Sequence, residues 1–222
     1  MDWFPLYNSL RIAIFSSVVV FFAGLAAAYY AARLPRLVKG ALDTVLTLPM
    51  VLPPTVVGYL LLLVFGNKRP LGQLLANVDI RFVMTWYGGV LAAAVVAFPL
   101  MYRTARGAFE SFDATLAQAG QTLGLSNTFI FWRIRMPACR QGILAGVVLA
   151  FARALGEYGA TSMLIGYTPG RTATISTTVY QLWRTGDDAG ALFWVLVNLG
   201  ISAAVLLTVN WLERPAKGGP TP

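Results

Sequence analysis

The sequence predicts an all-α integral membrane protein with about five transmembrane helices, and three observations carry that expectation. Of 222 residues, 57% are hydrophobic and only 12% charged, against roughly 45–50% and about 25% in soluble domains. Five apolar runs of 19 to 25 residues recur along the chain, each meeting the roughly 20 residues a helix needs to cross a bilayer core. The basic residues sit at the ends of these runs and not in one soluble cluster, so the net charge of +8 marks a bilayer protein and not a nucleic-acid binder. Composition also excludes chemistry. There is no His, and Cys139 is the only Cys, so the usual general base and commonest metal ligand, a cysteine cluster and an intrachain disulfide are all missing.

The first run, residues 12–30, follows a start (residues 1–5) that lacks the basic stretch of a cleaved signal, so it reads as a retained span. The second, residues 44–65, contains Pro49, Pro53 and Pro54, each without a backbone donor, and the adjacent pair predicts a kink. Irregular backbone at membrane depth is tolerated only against protein or a water-filled cavity, so this span faces the bundle interior or a pathway, or else carries a packing kink. The third run is 83–102. The fourth, 141–165, carries Arg153 and Glu157 four residues apart on one helix face, where unpaired charges are costly and pairing is expected. Gly156, Gly159 and Ala160 form a small-residue patch beside them that lets another helix approach. The pair reads either as part of a gate or dimer seam, or as a structural link to neighbouring helices. The fifth run is 189–212. Before it, residues 174–184 place Ile175, Val179, Leu182 and Trp183 on one face, a segment that lies in the interface or dips inward. Trp86, Tyr87, Trp183 and Trp211 read as interfacial anchors, and Cys139 as an inert thiol.

Five spans put the termini on opposite sides. Arg33, Arg36, Lys39, Arg103, Arg106, Arg133, Arg135, Arg140, Arg214 and Lys217 fall on one side, against Lys68, Arg69, Arg81, Arg171 and Arg184 on the other. The positive-inside rule then predicts the N-terminus outside and the C-terminus in the cytoplasm. The loop 103–140 becomes the longest cytoplasmic segment. In it Leu116, Ala119, Gly120 and Leu123 repeat with helical spacing, and Gly124 is placed as the stop. A second short helix starts at a Ser126 or Asn127 cap, takes bulk from Phe129, Ile130 and Trp132, and ends at Pro137.

This loop reads Gln118-Ala119-Gly120, three residues, Gly124, nine residues, Ile134, one residue, Met136-Pro137. It resembles the signature loop of bacterial ATP-binding-cassette importer permeases: Glu-Ala-Ala, three residues, Gly, nine residues, Ile, one residue, Leu-Pro. The spacing matches throughout, with Gln118 in place of the acidic residue, a small-for-small change at Gly120 and Met136 in place of Leu. Further stretches resemble molybdate permease subunits in particular: Leu42-Asp43-Thr44, Leu48-Pro49 to Tyr59, Phe98-Pro99-Leu100, Leu149 to Thr161 and Pro169-Gly170 to Tyr180.

The resemblance implies one transmembrane domain over residues 1–222, with the loop 103–140 as its coupling-helix loop. It assigns Asp113, Gln118, Ala119, Gly120, Gly124, Ile134 and Pro137 to the ATPase-coupling surface. It also implies a homodimer in the bacterial inner membrane, a separate ATP-binding-cassette ATPase and an extracytoplasmic molybdate-binding protein, with molybdate or tungstate as substrate. A sulfate or thiosulfate importer permease is the alternative. No GxxxxGK[ST] loop occurs, so ATP hydrolysis belongs to the partner, and no cofactor, metal or nucleic acid is expected. Pro49, Pro53, Pro54, Arg153, Glu157 and Gly159 are the pathway, gate or dimer-seam candidates. A membrane-embedded enzyme or a passive channel would be a different class; scattered Ser and Thr offer the former no convergent site.

Overall fold

The computed structural model describes residues 2–212, with side chains through Thr208; Arg214, Lys217 and the indole of Trp211 lie outside the described residues. Among the described residues the secondary structure is all helical. Along the chain run α1 (Phe4–Ala31), α2 (Arg36–Val51), α3 (Pro54–Phe65), α4 (Pro70–Ala76), α5 (Trp86–Glu110) and α6 (Ala114–Thr122). There follow α7 (Asn127–Ile130), a π-helical turn (Phe131–Arg135), α8 (Met136–Ala138), α9 (Arg140–Leu155), α10 (Gly159–Ile165), α11 (Ile175–Arg184) and α12 (Asp188–Leu212). Three helices, α1, α5 and α12, are long and apolar enough to cross a membrane; two bent pairs, 36–65 and 127–155, make up to five if each is one span.

Helix α1 opens with Pro in its first turn and buries Asn8, Ile12, Ser16, Val20, Gly24 and Ala28 at four-residue intervals. It begins well before the apolar run at residue 12 because its early polar residues are satisfied inside the protein. Asn8 Nδ2 donates to the Ala173 carbonyl at 3.0 Å, and Ser9 Oγ accepts from Ile175 N–H at 2.8 Å. Arg11, beside them, stacks its guanidinium 3.5 Å from the Trp86 ring centre.

Helix α5 is the centre of the bundle, with Ala92, Ala93, Ala97, Met101, Tyr102 and Ala105 fully buried. Between apolar helices in a bilayer, attraction comes from close packing, which small residues permit. A Cβ at Gly24 of α1 would lie 2.8 Å from Met101 Cγ, and one at Gly89 of α5 only 2.7 Å from Ile12 Cδ1. On the other flank, Gly142 and Gly146 of α9 would place a Cβ 2.8 Å from Ala108 and 3.0 Å from Met101.

The second span breaks as its prolines predict, but at one place. Helix α2 continues through Pro49 and ends where Leu52 and Pro53 turn extended; Pro54 opens α3, and the two halves meet at 111°. The fourth span corrects the expectation of one continuous helix. Helix α9 stops at Leu155, Gly156 to Tyr158 form a break, and α10 restarts at Gly159. Glu157 therefore lies between helices and not on a helix face. Two further elements, α4 and the bend of 73° before α9 at Cys139, follow no apolar period. Helix α11 is fixed by a Thr174–Thr177 capping box and packs beside α12 at the bundle end that holds the start of α1.

Candidate coupling surface and pathway

The 103–140 loop is built by capping. Asp113 accepts from Thr115 N–H at 2.9 Å to start α6, and the hydroxyl and backbone N–H of Thr115 hold the Asp113 carboxyl below its ordinary value. At the other end Gly124 takes φ +76°, the left-handed conformation that closes a helix, while the Leu125 N–H donates to the Gly120 carbonyl. Ser126 then accepts from Phe129 N–H at 3.2 Å and caps α7, and Gln121 Nε2 donates to Asn127 Oδ1 at 3.1 Å across the turn. Gly120 is buried, with room for a Cβ only 3.1 Å from Ile130 Cγ1 and 3.4 Å from Ile134 Cδ1, so α6 and the following turns form one unit.

The apolar positions of α6 mostly face outward. Only Gly120 of the set turns inward; Leu116 is 49% and Leu123 78% exposed, and Ala119 is exposed too. Phe129 and Trp132 add 46% and 57% exposure on the next turns. Gln118 and Pro137 are exposed and Ile134 half-buried. A cleft of about 330 Å³ lies beneath, lined by Phe112, Asp113, Leu116, Cys139 and Gln141. Cys139 itself is buried, its thiol donating to the Ala108 carbonyl at 3.1 Å.

The pathway candidates converge on the two broken spans. A Cβ at Gly58 would fall 2.8 Å from Ala160 Cα, and one at Gly159 would fall 2.9 Å from Pro54 Cβ and 3.0 Å from Thr55 N. The half-helices α3 and α10 thus lock together right after their breaks, bringing Pro53 and Pro54 to the level of Glu157 and Gly159. Pro49 lies apart, inside α2. Arg153 and Glu157 do pair, Nη1 to Oε2 at 2.6 Å, with side chains 32% and 1% exposed. This is a charge contact and not an aligned hydrogen bond, because Oε2 has no hydrogen-bond partner among the described residues. The other oxygen, Oε1, accepts from Ala160 N–H at 2.7 Å and so caps the restarting helix.

One cluster has little local signal in the sequence. Asp43 of α2 pairs with Arg106 of α5 and accepts from the Tyr102 hydroxyl, Lys39 pairs with Glu110, and Arg106 Nε lies 3.7 Å from the Glu110 carboxylate. These contacts tie α2, which buries no residue of its own, to the end of α5, which runs through Glu110 and so makes up the first residues of the 103–140 segment. Arg106 and Glu110, four residues apart on α5, are the one pair with a local signal; for the others only the general rule that charges at a span end seek partners is available.

Residues 21–217 match the family described as binding-protein-dependent transport system inner membrane component. The chain is 41% identical over 218 residues to the molybdenum transport system permease protein of Escherichia coli K12, covering 96% of this chain and 94% of that one. A sulfate transport system permease protein of Synechococcus elongatus is 34% identical, over 86% of this chain and 66% of that one. Among solved structures, an inward-facing methionine ABC transporter shares the fold at a TM-score of 0.73 and 12% identity, covering 96% of both chains. With a family match over nearly the whole length and an identity of 41%, the chain belongs to the binding-protein-dependent transport system inner membrane components: it is a multi-pass inner-membrane permease of an ATP-binding-cassette importer, whose ATPase is a separate subunit.

Proposed function

We propose that this chain is the membrane-spanning subunit of an ATP-driven molybdate importer, with tungstate as a second oxyanion, and that residues 1–222 act as one transmembrane domain. The observation that carries the reading is the 41% identity over nearly the full length to a molybdenum permease, set against the more distant sulfate permease. Two copies form the pathway on a shared axis, because five spans from one chain make a thin wall. Alternating access follows when an ATPase pair moves the two coupling loops. A dianion entering a negative-inside cell works against about 4.6 kcal/mol per 100 mV, which favours coupling to ATP over a passive channel.

In this reading the N-terminus is outside and the C-terminus cytoplasmic. Asp113, Gln118, Ala119, Gly120, Gly124, Ile134 and Pro137 belong to the surface that receives the ATPase, and the exposed Leu116, Leu123 and Trp132 support it as a face awaiting a partner. Pro49, Pro53, Pro54, Arg153, Glu157 and Gly159 belong to the pathway, its gate or the dimer seam. The extracytoplasmic molybdate-binding protein docks at the opposite end. The test is cellular molybdenum by elemental mass spectrometry in a strain lacking this gene and then carrying it again, at scarce molybdate with excess sulfate. Loss, recovery and indifference to sulfate are expected; unchanged molybdenum with impaired sulfur uptake would move the chain to sulfate.

A further inference from the structure

We infer that Arg153 is the group inside the spans that transiently binds the transported tetrahedral oxyanion, with Glu157 fixing its position. This rests on the import reading above. Arg153 is the one Lys or Arg within the five apolar runs; towards the ends of the spanning helices, Arg11 is stacked on Trp86, Arg106 is paired with Asp43, and Arg103 lies past the third run. The Arg153 guanidinium offers five N–H donors in a planar fork, yet among the described residues its one partner is the unaligned contact to Glu157. Unspent donors at membrane depth call for water, a ligand or further protein beside them. The surroundings match that need. The guanidinium side chain is 32% exposed, and Gly156 beside it is exposed, so that a Cβ there would meet nothing nearer than the Ala152 carbonyl at 3.7 Å. Pro53 and Thr55 are exposed at the other break. A tetrahedral oxyanion presents two oxygens along one edge, the geometry a guanidinium fork takes in bidentate contact.

Glu157 supplies the second half of the device. Its side chain is 1% exposed and held by Ala160 N–H, so it stays in place when Arg153 turns to an anion. Because this fixed carboxylate offsets the guanidinium charge, the anion is held weakly. A transit site needs that property: attraction enough to draw the ion in, too little to keep it.

The test uses the assembled permease and ATPase in proteoliposomes with the loaded binding protein, reading molybdate uptake and ATP hydrolysis in parallel. R153Q is expected to cut uptake about tenfold or more, the loss of one charge-assisted contact, while the complex assembles and the binding protein still stimulates ATP hydrolysis. R153K keeps the charge without the fork and falls between. Uptake by R153Q at the wild-type rate would overturn the inference, as would R153Q and R153K losing assembly, ATP hydrolysis and uptake together, the sign of a structural pair or a partner-subunit contact. Wild-type complex that carries sulfate but not molybdate, with the same R153Q loss, would keep the Arg153 site and change only the substrate. Wild-type complex that carries no oxyanion would retire the import reading and the site with it.

Discussion

The 103–140 loop and the crossing of the two broken spans are both irregular, yet they are held by opposite means. The loop is stabilised by near neighbours: Asp113 with Thr115, Ser126 with Phe129, and the Gly124 turn. Its large side chains, Leu116, Leu123, Phe129 and Trp132, point away from the chain. The crossing is held by distant partners: Gly58 against Ala160, Gly159 against Pro54, and Glu157 buried between them. A surface proposed to be covered by another protein can fold on local rules and leave its apolar area free. A discontinuity at membrane depth must satisfy its backbone within the chain.

The largest effect should come from breaking the crossing. Glu157→Ala removes both the Ala160 acceptor and the counter-charge; breaking a buried pair costs about 3–5 kcal/mol, and the partial exposure of Arg153 reduces this to about 2. The unfolding temperature of the purified permease is expected to fall by several degrees, and an unchanged value would show that the pair is not buried in the membrane. Gly58→Val comes next. Its side chain would enter the Ala160 backbone, an overpacking cost of about 1–3 kcal/mol, read in the same melting experiment, whereas full stability would mean that α3 and α10 are not in close contact. Gly124→Ala should cost about 1 kcal/mol through its left-handed backbone and leave the spans untouched. Limited proteolysis of the loop is expected to quicken while the melting temperature holds, and the reverse pattern would contradict the local character of the loop. Smallest for the permease itself is Leu123→Glu, on an exposed side chain: stability should stay within about 0.5 kcal/mol, yet copurification of the ATPase should be lost. Normal copurification would remove Leu123 from the coupling surface.

The same division explains what is legible in the sequence. The spans follow from run length, the loop helices from capping residues and Gly124, and the break at Pro53 and Pro54 from proline chemistry, because each signal lies within a few residues of its effect. The break in the fourth span escapes such a reading, since Arg153 and Glu157 at a spacing of four look helical. Gly156 and Gly159 on either side of Glu157 are the available sign, but they read as packing glycines and not as a helix end. The Asp43–Arg106 and Lys39–Glu110 pairs join residues far apart in sequence, and the outward turn of Leu116 and Leu123 depends on what α6 rests on. Periodicity finds a stripe but does not say which way it faces.

In the proposed reading the loop meets a cytoplasmic motor while the crossing faces the pathway. Because Cys139 is buried, a cysteine introduced at Leu123 would supply an accessible thiol beside an inert one. The direct measurement is crosslinking from that position in native membranes, with a cysteine at Thr55 as the control. A crosslink to the ATPase from position 123 and none from position 55 is the expected result; labelling of position 123 by an impermeant reagent outside intact cells would contradict both the orientation and the coupling role.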